Sequence, residues 1–396
     1  MSVTFNPMDP EFVRDPYPTY HRLRAEDPVH HSPLGFWVLT RYEDVVTALR
    51  DSRLAKEAIT AFVAARLGRT PAPVAALSML DRDPPDHTRL RSLVNKAFTP
   101  RVVETLRPRI QQIVDALVDR VESAGHMDLI EEFAYPIPVA VICEMLGVPV
   151  EDHERFKGWS ADLARSLDAL LLPPESGVAE RGFFARQSLG NYFRELIAVR
   201  RKSPRQDLLS GLIAAEEAGD TLTEEELLAT CVLLLIAGHE TTVNLIGNGT
   251  LALLRHPDQL GRLRDDPGLI VTAVEELLRF DGPVQRTARI PSEDVTIGGH
   301  TIKQGEMVMP FIGAADRDPA QFPDPDRLDL GRAENRHIAF GWGIHFCLGA
   351  PLARVEGQIA INTLLKRLPR LALATDQPEY RQSLTLRGLA SLPVTF

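Results

Sequence analysis

The ten residues Phe340-Gly341-Trp342-Gly343-Ile344-His345-Phe346-Cys347-Leu348-Gly349 constrain this chain more than any other stretch. Glycines hold the segment open, and one cysteine stands within it. A strongly apolar stretch, Pro351 to Leu368, follows at once and reads as a helix. A thiol placed just before a helix meets free backbone N–H groups and the positive end of the helix dipole. Both favour S⁻ over SH, and the thiolate is the form that ligates a metal. The glycines let a flat ligand approach the backbone closely, and Phe340 supplies an aromatic wall. A lone cysteine can also be a buried structural thiol. The surrounding glycines, His345 and the following helix weigh toward a ligand.

By length alone, 396 residues allow two or three domains. No low-complexity linker, repeat or break in composition divides the chain, so a single domain over residues 1–396 is expected. The formal net charge of −10 argues against a nucleic-acid footprint. Cys143, Cys231 and Cys347 are far apart and form no C-x-x-C pair, which suits a reducing, cytoplasmic setting. The start, MSVTFNPMDPEFVRDPYP, has no basic segment followed by an apolar one, so no signal peptide is expected. The longest apolar run, Leu227 to Gly238, is too short to span a bilayer and reads as a buried helix. A soluble protein that uses no membrane is expected.

Helix dominates the pattern. Gly35 to Leu39 reads as a strand and Tyr42 to Arg50 as a short helix. Residues 56–82 mix helix formers with glycine and prolines and read as a loop with broken helical turns. His87 to Phe98, Val102 to Ala124, Phe133 to Leu146 and Val150 to Leu171 read as helical. Residues 173–177 interrupt the run, and Ala179 to Lys202 resumes it. Thr223-Glu224-Glu225-Glu226 is a capping box, with Thr223 as N-cap and Glu226 reaching back. It opens the longest helix, to about Arg255, and Pro267 to Phe280 is another. From Thr287 the period shortens: Val295–Ile297, Thr301–Ile302 and Met307–Met309 read as strands with glycine turns. Leu384 to Phe396 holds two more strand-like runs, joined near Gly388.

Midway along the longest helix stands Ala237-Gly238-His239-Glu240-Thr241-Thr242. Glycine, a β-branched threonine and a charge there oppose local helix preference. The Thr241 hydroxyl can bond the carbonyl of Ala237 one turn back, which bends a helix and frees backbone groups. His239-Glu240 begins like the zincin H-E-x-x-H, but Val243 stands where the second histidine belongs. Gly247-x-Gly249-x-x-Ala252 mimics a dinucleotide loop, but no strand precedes it. Glu276 and Arg279 stand at i, i+3 on one helix face, which by itself describes an ordinary ion pair.

The pattern F-G-x-G-x-H-x-C-x-G resembles the haem-binding loop of the cytochrome P450 family. Six fixed positions over ten residues arise by chance on the order of 10⁻⁷ per start point at average usage. The family's distal-helix motif A/G-G-x-D/E-T is matched by Ala237, Gly238, Glu240 and Thr241, and its E-x-x-R by Glu276 and Arg279. The resemblance runs from Asp15-Pro16-Tyr17-Pro18 to Leu392-Pro393-Val394. Only Leu328, where a phenylalanine is common, departs slightly.

That resemblance implies a mainly α fold with small β-sheets, a long central helix over haem b and the cysteine loop beneath. It implies Cys347 as the axial iron ligand, with Phe340, Gly341, Gly349 and Ala237 against the haem. Backbone N–H groups of Leu348, Gly349 and Ala350 would bond the sulfur. His87, Arg91, Arg289 and His345 match positions that bind the haem propionates, where cationic donors make charge-assisted bonds. Glu240 and Thr241 would relay protons to bound dioxygen. Glu276 and Arg279, joined by Arg327 from Phe322-Pro323-Asp324-Pro325-Asp326-Arg327, would lock the core beneath the haem loop.

The reaction implied is monooxygenation, the insertion of one atom of O2 into a hydrophobic small molecule. The expected pocket draws Phe62, Met79 and Leu80 from the segment before His87. Leu233, Ile236 and Ala237 come from the long helix. Val284, Gln285 and Thr287 follow from the strand side, and Leu386 from the final turn. No flavin or iron–sulfur motif is present, so a ferredoxin or flavodoxin with an NAD(P)H-dependent reductase is expected. It would dock near Arg101, Arg107, Arg109 and Arg354 of a monomer. A peroxide-driven peroxygenase of the same fold is the nearest alternative, disfavoured because Glu240 and Thr241 are intact. A non-catalytic haem sensor is the other, and no output module is visible.

Overall fold

The computed structural model describes residue 6 and residues 9–70, 77–217 and 222–396. The chain divides into two compact units of interleaved segments. The first comprises Met1–Leu54, Glu104–Ile137 and Thr241–Phe396; the second comprises Ala55–Val103 and Pro138–Glu240.

The first unit carries the sheets. Val29–Ser32 and Phe36–Leu39 form an antiparallel hairpin, turned at Gly35 with φ of +80°. Phe36–Leu39 then pairs parallel with Met307–Pro310, in the register Phe36 to Met307. Apolar residues of these strands enter one core with Val45, Ala48 and Ile312. Val295–Ile297 and His300–Ile302 form a second hairpin, whose turn residues Gly298 and Gly299 both have positive φ. Pro393–Thr395 lies between His126–Asp128 and Ala372–Leu373. The Ile270–Asp281 helix packs along the Ala350–Arg367 helix.

Among the described residues of the second unit, the regular elements are helices joined by loops, apart from Ala55, which ends a short strand. The Val178–Lys202 helix packs along His153–Ser166, where Phe156 and Tyr192 meet edge to face at 5.0 Å. Gly182 permits that approach, since a Cβ there would come within 2.2 Å of the Ser166 Cβ. The capping box closes as expected: Glu226 N–H donates to Thr223 Oγ1 at 3.2 Å, and Thr223 N–H donates to the Glu226 carboxylate at 3.0 Å. The helix that it opens runs Glu224–Arg255.

Four expectations change. Residues 56–82 hold a regular helix, Glu57–Arg66, whose first N–H groups are capped by the Asp83 carboxylate reaching back along the sequence. Residues 71–76 of that stretch lie outside the described residues. Helices at Leu208–Glu217 and Pro257–Asp265 were not expected; the second is polar enough to hide its periodicity. The two C-terminal strands, Leu389–Ser391 and Pro393–Thr395, both lie beyond Gly388. Gly388 is not their turn but a close-approach residue, whose Cβ would sit 1.9 Å from Asn244 Oδ1. Finally, the Leu227–Gly238 run belongs to a helix long and apolar enough to cross a bilayer, but 67% of its most apolar stretch is buried within the protein. Core packing accounts for that apolarity.

Candidate active site

The cysteine loop is shaped by its glycines. Gly341 and Gly343 both have φ of +73°, and a Cβ on Gly343 would meet the Leu49 carbonyl at 2.7 Å. Gly341 N–H donates to the Ile338 carbonyl at 2.7 Å, and Cys347 N–H donates to the Phe340 carbonyl at 2.9 Å. The loop therefore closes on itself, with cysteine and phenylalanine backbones joined. The helix Ala350–Arg367 begins three residues past Cys347, with Pro351 in its first turn, where a missing N–H costs nothing.

Cys347 is partly exposed, while Cys143 and Cys231 are buried. Burial pushes each of those two thiols up to about 12, so neither supplies a thiolate near neutral pH. Cys347 alone combines access with a helix N-terminus. Among the described residues no group of three or more His, Cys, Asp or Glu could hold a metal. A metal at Cys347 must bring its remaining ligands with it, as an iron macrocycle does.

Beneath the loop lies a set of charged side chains. Glu275, on the Ile270–Asp281 helix, accepts from Arg354 Nε at 2.7 Å and from a terminal nitrogen of Arg354 at 2.8 Å. Its Oε2 is also 3.0 Å from His337 Nε2. Burial works against its charge, but the bonds from His337 and Arg354 prevail and hold its carboxyl at about 2. The Arg354 guanidinium lies over the Phe340 ring, 4.6 Å from its centroid. Arg354, one of the arginines expected near the docking face, is engaged in this cluster and stays partly exposed. Arg107 bonds Glu104 and Gln358, and Arg109 bonds Gln112.

The next residue, Glu276, is fully buried. Arg279 donates twice to it, each bond at 2.8 Å. The expected third member is corrected: the Arg327 side chain is exposed, and only its carbonyl takes part, accepting from Arg279 at 3.3 Å. The guanidinium that reaches Glu276 belongs to Arg332, whose Nε is 3.2 and 3.1 Å from the two carboxylate oxygens. Asn335 and the Asp329 N–H complete the shell. Asp324, at φ of +45°, turns the intervening segment so that carbonyls of Pro323, Asp324, Pro325 and Arg327 face the two arginines.

Along the long helix, Leu233, Ile236, Gly238 and Thr241 are partly exposed and Ala237 is exposed, whereas Val232, Leu234, Leu235 and Val243 are buried. The open residues recur at helical spacing and so form one stripe on a helix that is otherwise enclosed except at its two ends. Glu240 is buried, and its Oε1 is 3.6 Å from His239 Nε2. His239 Nδ1 donates to the Leu235 carbonyl at 2.7 Å. Gly238 also has a packing role, since a Cβ there would meet Ile142 at 2.7 Å.

Arg289 and His345 lie in the first unit, as do Cys347 and Thr241. His87, Arg91, Ala237 and Glu240 lie in the second. Arg289 is buried and donates to the Ala288 carbonyl at 2.8 Å and to Thr287 Oγ1 at 3.2 Å. His87 is buried on the Asp86–Asn95 helix; burial first, then the nearby Arg91 charge, holds it below the usual histidine range.

Of the expected pocket residues, Phe62, Val284, Thr287 and Leu386 are partly exposed and Leu80 is exposed. Met79 and Gln285 are buried. Gln285 is a core residue: it accepts from the Tyr20 hydroxyl at 3.1 Å and donates to the Gly282 carbonyl at 2.8 Å. Its amide also presses on Gly313, where a Cβ would lie 2.1 Å away. A polar side chain beside apolar pocket candidates misled the sequence reading.

A helical fold with a thiol loop set before one helix and an open stripe on another defines a haem-thiolate class of protein. The family model for cytochrome P450 matches residues 31–267 and 268–394, and the chain belongs to that family. It is 48% identical to a vitamin D(3) 25-hydroxylase of Pseudonocardia autotrophica, over 97% of this chain and 94% of that protein. It is 45% identical to a myxobacterial P450, CYP267B1, whose structure in complex with myristic acid superposes with a TM-score of 0.90 over 98% of each chain. P450BioI, solved in complex with an acyl carrier protein ligated to hexadec-9Z-enoic acid, is also 45% identical, with a TM-score of 0.89 over 98% of this chain and 99% of that one.

Proposed function

We propose that this chain is a haem b monooxygenase in which Cys347 is the axial ligand and a long, mainly apolar small molecule is the substrate. The observation that carries the reading is the placement of Cys347. It is the one accessible thiol, tied through its N–H to Phe340 at 2.9 Å, just ahead of the Ala350–Arg367 helix. The two units are taken as parts of one functional domain over residues 1–396.

The residues present fit a haem. One thiol outside any group of three or more metal-ligating side chains, among the described residues, suits an iron whose other ligands come from the macrocycle. The open stripe at Leu233, Ile236, Ala237 and Thr241 offers a face without bulky charge. When bound, haem supplies the activation of dioxygen and the transfer of one oxygen atom to substrate, for which thiolate ligation is the favourable choice. Phe340, Gly341 and Gly349 shape the loop against it. His87, Arg91, Arg289 and His345 bind its propionates as cationic or N–H donors. Glu240 and Thr241 hold and pass protons, with the Thr241 hydroxyl as the last donor. Leu233, Ile236 and Ala237 exclude water and favour an apolar substrate. The relatives whose names mention vitamin D(3), myristic acid and a hexadecenoyl chain fit that preference. Electrons come from a separate ferredoxin or flavodoxin and its NAD(P)H-dependent reductase, delivered to a cytoplasmic monomer.

The reduced carbon monoxide complex tests the ligand. It should show the strongly red-shifted Soret band of thiolate ligation, and Cys347→His should lose that band even with haem retained. A normal band in the variant would sink the assignment. For proton delivery, Thr241→Ala should keep haem and substrate binding but divert NAD(P)H-derived electrons to peroxide. An unchanged ratio of product to NAD(P)H oxidised would remove that role. A panel of fatty acids and sterols, scored by spin-state shift, tests the substrate class.

A further inference from the structure

We propose that Glu275 is a positioning residue for the thiolate loop: by clamping Arg354 and His337 it fixes Phe340, and through the Phe340 backbone it fixes Cys347. The inference rests on Cys347 being the haem ligand.

Glu275 reaches both sides of the loop's first residue. Arg354 gives it two bonds, at 2.7 and 2.8 Å. This fork geometry fixes the plane of the guanidinium. The same guanidinium covers the Phe340 ring at 4.6 Å, a cation–π contact. On the other side, Ala339 N–H donates to His337 Nδ1 at 3.2 Å. That bond requires Nδ1 to be unprotonated, so Nε2 carries the hydrogen and donates it to Glu275 over 3.0 Å. The His337 ring in turn lies 6.1 Å from the Phe340 ring, centroid to centroid. One carboxylate therefore orients two planar groups that flank one aromatic ring.

One hydrogen bond joins the backbones of Phe340 and Cys347. The Phe340 carbonyl accepts from Cys347 N–H at 2.9 Å. If the Phe340 ring loses its flanking groups and the residue shifts, its carbonyl shifts with it and displaces the cysteine backbone. Arg354 and Cys347 are joined a second way, because Arg354 rides the first turns of the helix that the cysteine precedes. Glu276, the neighbouring residue, points into a different network and does none of this. Two adjacent carboxylates on one helix thus divide two tasks: Glu276 holds the core, and Glu275 holds the ligand loop.

The test uses the haem-loaded protein. Glu275→Gln keeps the shape of the side chain but weakens the hold on Arg354. Among the folded, haem-containing molecules, its reduced carbon monoxide complex should convert to the shorter-wavelength band of lost thiolate several-fold faster on mild acidification. The haem reduction potential should also shift from the parent value. Arg354→Gln should do the same, which keeps the test open if Glu275→Gln folds poorly. Phe340→Leu should reproduce the effect, and combining it with Glu275→Gln should add little more, because both act through one ring. Glu275→Asp should recover only part of the parent behaviour. If both single variants keep the parent's band stability and potential, or if the double variant is fully additive, the inference is overturned. A parent protein lacking the red-shifted band would instead overturn the ligand assignment itself.

Discussion

Two buried carboxylates, Glu276 in the first unit and Glu226 in the second, are each ringed by arginines, yet they are built differently. Glu276 is sealed. It and Arg279 have no measurable side-chain exposure, and Arg332 is 9% exposed. Its donors are Arg279, Arg332, Asn335 and the Asp329 N–H. Glu226 is 3% exposed but faces Arg89, which is 32% exposed, and it also serves as the returning arm of a helix cap. Its bonds to Arg89, at 2.6 and 3.1 Å, compete with water in a way that those of Glu276 do not. A sealed network cannot lose one member without leaving an uncompensated charge, whereas a half-open one can be partly repaired by solvent.

The largest effect should therefore come from Glu276→Ala. Removing it leaves Arg279 and Arg332 buried without their carboxylate, at about 3–5 kcal/mol. Low soluble yield and poor haem incorporation are expected. A variant with parental thermal stability would break the contrast between the two networks.

Arg332→Gln comes next. It removes the bonds to Glu276 and those to the carbonyls of Pro323, Asp324 and Arg327, so a loss of roughly 2–3 kcal/mol is expected. Arg327→Gln should stay within about 0.5 kcal/mol, because that side chain is exposed. Comparing the thermal midpoints of the two variants checks the correction directly. If Arg327→Gln were the more damaging, the network described here would be wrong.

This pair of arginines also shows what the sequence could and could not reveal. Glu276 and Arg279 are one turn apart on one helix, and helical periodicity alone pairs them. The third member depends on how the segment from Pro323 to Arg332 turns, and that turn hinges on Asp324 in a left-handed conformation that no local pattern announces. The same limit applies to Glu226. Its cap to Thr223 spans three residues and was visible; its partners Arg82 and Arg89 lie 144 and 137 residues away and were not. At the candidate site, Cys347 was legible because glycines, a helix start and the thiol are contiguous. Gln285 was misplaced because side-chain direction in a loop follows from its partners Tyr20 and Gly282, which only the fold supplies.

Glu226→Gln should cost about 1–2 kcal/mol, less than any break in the sealed network. Its dependence on pH sharpens the difference. Burial works against the Glu226 charge, but Arg89, the Thr223 N–H and Arg82 outweigh it and hold the carboxyl below its usual range. A carboxylate with a depressed folded value stabilises the protein above its unfolded value of about 4.3 and loses that contribution as pH falls. The parent protein should thus lose stability relative to Glu226→Gln below about pH 4. A constant gap between them across the acid range would remove the ion pairing from this account.

Within the half-open network, Thr223→Ala should have a smaller effect than Glu226→Gln. Loss of an N-cap hydroxyl costs about 1 kcal/mol. Here, however, only one of the two reciprocal bonds is lost. The Thr223 backbone N–H survives the substitution and still donates to Glu226 at 3.0 Å, while Arg89 continues to hold that carboxylate. The expected cost is accordingly at the low end, about 0.5–1 kcal/mol, and Thr223→Ser should be close to neutral because the hydroxyl is kept. The informative measurement is the double variant. Once Glu226→Gln has weakened the returning arm, Thr223→Ala should cost less than it does in the parent, since cap and ion pair share one side chain. Full additivity of the two thermal shifts would mean that cap and ion pair act independently, and Glu226 would then resemble Glu276 more closely than its half-open surroundings suggest.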